Sequence, residues 1–229
     1  MSSNVRILVA AIGLVVVANA ACAADLSPPI AASSSAPYSW TGIYIGLNAG
    51  YANTKLTETV SRGGGSGTAN IPGGIGGFQM GYNYQTGAAV LGVEADFDGT
   101  METKSITAGI ASGTAQIPWI GSLRGRIGVA FDRLLLYATA GGAATQLVST
   151  VNVGAIGSSS TTFTHGAWTA GAGLEAAITD NLSARVEYLY VDTGNFDIAQ
   201  VGPPFASVTG RLQDNLVRAG VNYRLPVAW

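Results

Sequence analysis

Nine ionisable residues share a common spacing. Glu94 and Asp96, Arg124 and Arg126, and Arg185 and Glu187 each stand two apart, and Glu175, Arg218 and Arg224 fall on the same kind of alternating segment. A separation of two puts side chains on one face of a strand. The set is four carboxylates against five guanidiniums, with no lysine. A guanidinium fork binds a carboxylate at two points, whereas a face in open water normally draws on lysine. The expected chemistry is a confined ion-pair network. A second constellation contains the only histidine, His165, just after Ser158, Ser159 and Ser160, with Glu175 further along. These are the residue types of a nucleophile, a base and an orienting acid, but nothing in their spacing fixes a catalytic geometry. His165 is kept as a possible ligand, for instance to heme iron, and otherwise reads as an exposed loop imidazole. No enzyme activity, metal site or resident cofactor is expected. The several G-x-G strings lie in strands or loops and open no helix, so a nucleotide reading fails.

The elements that carry these residues repeat one pattern from Trp40 onward. WTGIYIGLNAGY sets Ile43, Ile45, Leu47, Ala49 and Tyr51 against Gly46, Asn48 and Gly50. GGFQMGYNY, AVLGVEADF, WIGSLRGRIGV, LLLYATAGGA, WTAGAGLEAA, LSARVEYLY and NLVRAGVNYRL follow, eight segments in all. LLLYATAGGA is the least regular, because Leu135 and Tyr137 blur its alternation. Tight turns are expected near Thr86-Gly87, Asp132-Arg133 and Thr179-Asp180. Long loops rich in Gly, Ser and Thr are expected over 53–73, 99–116, 144–166 and 193–213. Short and long connections alternate strictly, as in an up-and-down barrel crossing an outer membrane.

The charges sit only on the alternate faces, and the apolar faces carry none. A lone Arg or Lys in mid-bilayer costs about 2–4 kcal/mol, so the charged faces should line a lumen and the apolar faces should meet lipid. Aromatic residues fall at the segment ends. Tyr51, Phe78, Phe97, Trp119, Trp168 and Tyr190 lie toward the long loops, and Trp40, Tyr84, Phe131, Tyr223 and Trp229 toward the tight turns. Two interfacial girdles would have that distribution. Only 10% of residues are charged and the net charge is −2, which leaves no basic footprint for nucleic acid.

Residues 1–24 read as a signal peptide: Arg6, an apolar run from Ile7 to Ala18, then ANAACAAD, with cleavage after Ala20, Ala23 or Ala24. Cys22, the only cysteine, leaves with it, or else serves as a lipidation site, against which Asn19 argues. Residues 25–39, rich in Pro, Ser and Ala, read as a disordered periplasmic leader. Residues 40–229 are assigned to an all-β, eight-stranded antiparallel transmembrane barrel. The interior of eight strands is filled by side chains, although inward glycines such as Gly46, Gly81, Gly92 and Gly173 would leave room for a narrow path.

WTGIYIGLNAGY, GVEADF, SLRGRIGVAFDRLLLYATAGGA, LSARVEYLY and VRAGVNYRL together resemble the small outer-membrane β-barrel proteins of alphaproteobacteria, a porin-like surface-antigen family with an OmpA-like eight-stranded fold. The resemblance implies an integral protein of a Gram-negative outer membrane, in contact with its lipids and lipopolysaccharide. It also implies insertion by the barrel-assembly machinery, for which Trp229 would be the terminal recognition residue. A structural, surface-antigen role is the expectation, with a narrow porin-like channel or a hemin-binding or adhesin receptor as alternatives. One departure is the added Pro226-Val227-Ala228-Trp229 tail.

Overall fold

The computed structural model describes residues 37–61, 65–108, 111–153, 157–201 and 206–226. The signal segment, the leader up to residue 36 and Trp229 lie outside them. Eight strands follow in chain order: β1 (Gly42–Val60), β2 (Ser66–Thr86), β3 (Ala89–Ala108), β4 (Ala111–Phe131), β5 (Leu134–Val153), β6 (Gly157–Ala177), β7 (Leu182–Val201) and β8 (Ala206–Arg224). Each pairs antiparallel with its neighbour, and β8 returns to pair with β1, so the sheet is a closed barrel. Closure removes the unpaired edge that so apolar a sheet would otherwise present. At one end the connections are tight, with Gly87 (φ 59°) and Asp132 (φ 52°) in the left-handed region their hairpins require.

Alternation decides which side is inside. Val186 is 57% exposed on the outer surface, while the next residue, Glu187, is 1% exposed in the lumen. Leu47, Met80, Val93, Leu123, Ile127, Leu174 and Val217 also face outward and are exposed. This apolar belt is far larger than the outside of a barrel in water would carry. The irregular LLLYATAGGA segment resolves simply: Leu135 and Tyr137 point inward and are buried, between outward Leu134 and Leu136.

The long loops are a correction. The segments expected as loops are mostly strand: the β1–β2 ladder runs without interruption to Thr59↔Ser66, and the β5–β6 ladder to Val153↔Gly157. Strands of 19 to 21 residues are about twice the 9–11 needed to cross a bilayer. Beyond the belt the polarity pattern reverses. Lys55 and Thr57 face outward, while Leu56, Ile71, Ile117, Leu147, Leu189 and Leu212 turn inward and pack as one core. That half is built like a β-barrel in water, with an apolar inside and a polar outside. The apolar face changes sides there, so the contrast between the faces fades along the sequence.

The tight-turn end is stoppered by the chain's own approach to β1. Trp40 is 4% exposed and packs inside with Tyr38, Val90, Ala130, Leu135 and Ala177. The Trp40 indole Nε1 donates to the Asp132 carbonyl at 3.0 Å, and its amide donates to Gln85 Oε1 at 2.7 Å. Tyr38 N donates to Asp132 Oδ1 at 2.9 Å. Two expectations are corrected here. Trp40 is no lipid-facing girdle residue, because its indole N–H finds an acceptor in the barrel mouth. The last leader residues, 37–39, are likewise part of the compact unit that begins at Pro37.

Candidate functional site in the barrel lumen

The ladder register brings opposite charges face to face before any side chain moves. Glu94 lies opposite Arg124 across β3–β4, Glu175 opposite Arg185 across β6–β7, and Glu187 opposite Arg218 across β7–β8. From these seats the side chains reach across the bore. Arg124 meets Glu94 at 2.6 Å, Asp96 at 2.8 Å and, on the far wall, Glu187 at 3.1 Å. Arg126 binds Glu175 at 2.9 Å, and Arg185 reaches Glu94. Arg218 bridges Glu187 at 2.8 Å and Asp96 at 3.2 Å. Neutral groups take up further lone pairs: the Tyr44 hydroxyl donates to Glu94 at 2.6 Å, Tyr137 to Glu187 at 3.1 Å, Ser122 to Asp96 at 2.6 Å and Ser183 to Glu175 at 2.6 Å. The Arg126 guanidinium also lies 3.9 Å over the Tyr137 ring, a cation–π contact in a dry setting.

Eight of the nine expected lumen charges are therefore assembled and buried. Arg224 is the exception. It sits at the tight-turn rim, donating to the Asp180 carbonyl at 2.6 Å, with its guanidinium over the Tyr38 ring. Its place near the end of β8 puts it one level below the network, at the barrel mouth. Asp98, a partner of Arg218, belongs to the network, although the sequence reading missed it. The signal was present: Asp98 continues the period-two run of Glu94 and Asp96. Tyr44 and Tyr137 were also missed, because an aromatic in such a pattern reads as lipid-facing until its alternation with Ile43 and Ile45, or Leu134 and Leu136, is followed through.

The inward glycines are filled by neighbouring side chains. A Cβ on Gly81 would fall 2.4 Å from the Tyr44 hydroxyl, and one on Gly173 would fall 2.5 Å from the Tyr137 ring. Tyr44 and Gly81 are direct cross-strand partners, as are Tyr137 and Gly173. Each glycine is the slot in which a tyrosine lies across the bore.

Tyr51, Phe97, Trp168 and Tyr223 are exposed on the outer wall at the belt's edges, and Trp119 and Tyr190 complete contacts there. Phe97 stacks on Trp119 with ring centroids 5.6 Å apart, and Trp168 meets Tyr190 at 5.4 Å. His165 is in β6 rather than in a loop. It lies against Phe196 at 3.8 Å and Phe163 at 6.0 Å, with Nε2 buried and unpaired. Ser160 is five residues along the strand, about 16 Å away at strand rise, and shares a hydrogen bond with Thr150. Glu175 is committed to Arg126, Ser183 and Asn222. The fold does not bring these three together.

The family model described as "Outer membrane protein beta-barrel domain" matches residues 9–224. The chain belongs to that family. Among the family's named relatives, the 31 kDa outer-membrane immunogenic protein of Brucella melitensis is 38% identical, over 90% of this chain and 94% of the relative. The 25 kDa outer-membrane immunogenic protein of Brucella abortus is 35% identical over 90% and 89%. Among solved structures, Neisserial surface protein A is similar, with 14% identity, a TM-score of 0.46, and coverage of 81% of this chain and 98% of that one. The protein is thus an outer-membrane barrel associated with membrane lipid. Outer-membrane barrels in general carry short turns on the periplasmic side and longer connections outside.

Proposed function

We propose that the protein is a sealed structural barrel and surface antigen that neither conducts solutes freely nor catalyses a reaction. The observation that carries this reading is Arg124. Its guanidinium spans the lumen from Glu94 and Asp96 to Glu187 on the opposite wall, and the Tyr38–Trp40 stopper fills the bore below it. An ion entering this path would have to replace charge-assisted hydrogen bonds in a dry interior. The immunogenic naming of the Brucella relatives supports display of the extracellular half. The barrel-assembly machinery would insert the chain, and lipopolysaccharide would pack against its outer wall. Planar-bilayer recordings test the sealed lumen. The expected result is no steady conductance from the wild type, and a large stable open level would overturn the proposal.

A second reading, capture of an apolar ligand such as hemin at the extracellular mouth, has one feature in its favour. A recess of about 300 Å³ there is lined by Leu56, Leu147, Phe163 and Phe196, next to His165. Hemin titration of wild type against His165→Ala separates the two readings, since equal weak binding leaves the structural role alone.

A further inference from the structure

The β6–β7 ladder stops at Trp168↔Asp192. Beyond that level β6 stays paired with β5 up to Val153↔Gly157, and β7 with β8 up to Val201↔Ala206. An unpaired seam therefore runs up the wall between β6 and β7. A bulge in β7 starts it. From Asp192↔Gln213 to Asn195↔Arg211, β7 carries one residue more than β8, and Gly194 takes a φ of 65°. Side chains fix this bend. The Gly194 amide donates to Asp192 Oδ1 at 2.8 Å, Arg211 Nε donates to the same oxygen at 3.0 Å, and the Leu212 amide donates to Thr193 Oγ1 at 3.0 Å. A bulge bends its strand and ends pairing, so the seam is built into the fold. The β2–β3 ladder likewise stops at Ile75↔Thr100, next to the β3 irregularity between Gly99 and Glu102.

The seam separates an apolar recess from the membrane boundary. Inside, the recess of about 300 Å³ is lined by Leu56, Ala115, Leu147, Phe163 and Phe196, with Glu58 as its one charged neighbour. That volume stands at the lower end of small-molecule pockets. Phe163 and Phe196 face it from β6 and β7, the two strands that do not pair. His165, two residues nearer the belt than Phe163, stacks on Phe196 with ring centroids 3.8 Å apart and closes the seam from within. Its Nε2 is buried and has no hydrogen-bond partner, so that nitrogen does not anchor the ring. Just below, on the outer wall, Trp168 meets Tyr190 at 5.4 Å at the upper edge of the belt. Toward the tight-turn end the bore is filled by Ile120, Leu189, Val191 and Leu216, and then by the ion network.

An apolar molecule outside a cell has to cross the water-rich head-group layer before it meets hydrocarbon. That layer offers its surface no favourable contact. We propose that the recess takes up a small, uncharged, apolar molecule and releases it sideways through the β6–β7 seam into the outer leaflet, with His165 and Phe196 as the latch. A charged molecule would lose its hydration in the seam without gaining a partner. The inference rests on the apolar-capture reading above and adds the route out. The lumen below stays sealed, and no bond is made or broken.

The probe is N-phenyl-1-naphthylamine, whose fluorescence rises in apolar surroundings. Its binding is measured on the purified barrel in amphipol, and its uptake on Gram-negative cells expressing the full chain. Heat-modifiability on gels checks the fold of every variant. Wild type should bind the probe saturably and speed uptake about threefold over cells lacking the protein. Leu147→Trp fills the recess and should lose both effects. Ala167→Cys with Thr193→Cys, at the positions directly after the last β6–β7 pair, should keep binding but lose the extra uptake when oxidised, and regain it with dithiothreitol. His165→Ala removes the latch and should raise uptake about threefold above wild type, a result that needs no disulfide to form. Absence of saturable binding, or binding that Leu147→Trp leaves unchanged, would overturn capture and this inference together. Saturable binding with uptake indifferent to both the lock and His165→Ala would overturn the sideways route alone and leave capture standing.

Discussion

Val186 and Glu187 are consecutive in β7, yet one faces the outside, half uncovered, and the other is shut inside between Arg124, Arg218 and Tyr137. A single peptide unit thus separates hydrocarbon from an ionic interior. Which of the two is wet follows from the belt to which Val186 belongs, and every strand repeats the choice at its own level.

Placing a charge on the belt should therefore be costly at Val186 and free higher up. Val186→Arg is expected to destabilise the barrel in lipid vesicles by about 2–4 kcal/mol. Thr57→Arg, outward but beyond the belt, should stay within about 0.5 kcal/mol of wild type. Urea titration followed by tryptophan fluorescence reads both, and equal effects would mean that the belt has been misplaced.

Arg124→Met leaves Glu94, Asp96 and Glu187 facing one another without the guanidinium that joins them. Breaking a buried pair in this way costs about 3–5 kcal/mol. Arg133→Met removes an ion pair of similar geometry, 2.7 Å to Asp180, whose partners are largely in water, and should cost about 0–1 kcal/mol. Comparing the two by the same urea titration isolates the effect of burial.

Gly81→Ala should push Tyr44 out of its slot and break its hydrogen bond to Glu94. Overpacking of this kind costs about 1–3 kcal/mol. The same Cβ would lie 2.6 Å from the Val93 carbonyl, so adding Tyr44→Ala should remove the phenol's share of the penalty and leave the backbone's, and a double-mutant cycle would show that coupling. Strict additivity would disprove the contact.

The periplasmic stopper should be sensitive to alkali. Burial raises the Tyr38 phenol above its ordinary value of 10.0, opposed by the nearby Arg224 and Arg133. A raised value in the folded state means that Tyr38 contributes fully at pH below its unfolded value. That contribution is lost as pH climbs above about 10 and through the folded value. Trp40 fluorescence should shift to the red in that range as the segment loosens, and Tyr38→Phe should abolish the Tyr38-dependent part. A transition unchanged in the variant would assign it to another group.

The membrane half of this fold was legible because two simple signals coincide there. Apolar residues stand at every second position, and charges occur only between them, so strands, register parity and eight of the nine lumen charges could be read directly. Arg224 and Trp40 escaped because alternation gives a side but no height, and both stand at the mouth. The extracellular half was misread for a different reason. Leu56, Ile71, Leu147 and Leu212 keep the period of two, but on the opposite face and among Thr, Ser and Gly, which mark loops as readily as strands. Glu102 and Asp214, both buried, lay in those segments and passed unnoticed, although Glu102 extends the same inward run as Asp98.

Because the sheet continues past the belt, from Ala52 to Val60 in β1, the wall itself rises about 20 Å above the bilayer at ordinary strand rise and tilt. An antibody approaching a cell would meet a stave of hydrogen-bonded strands as well as the tips. Epitopes on such a wall combine residues from neighbouring strands that are distant in the chain. Sera raised against the folded barrel should lose most of their reactivity once the protein is boiled, and short synthetic peptides should recover little of it.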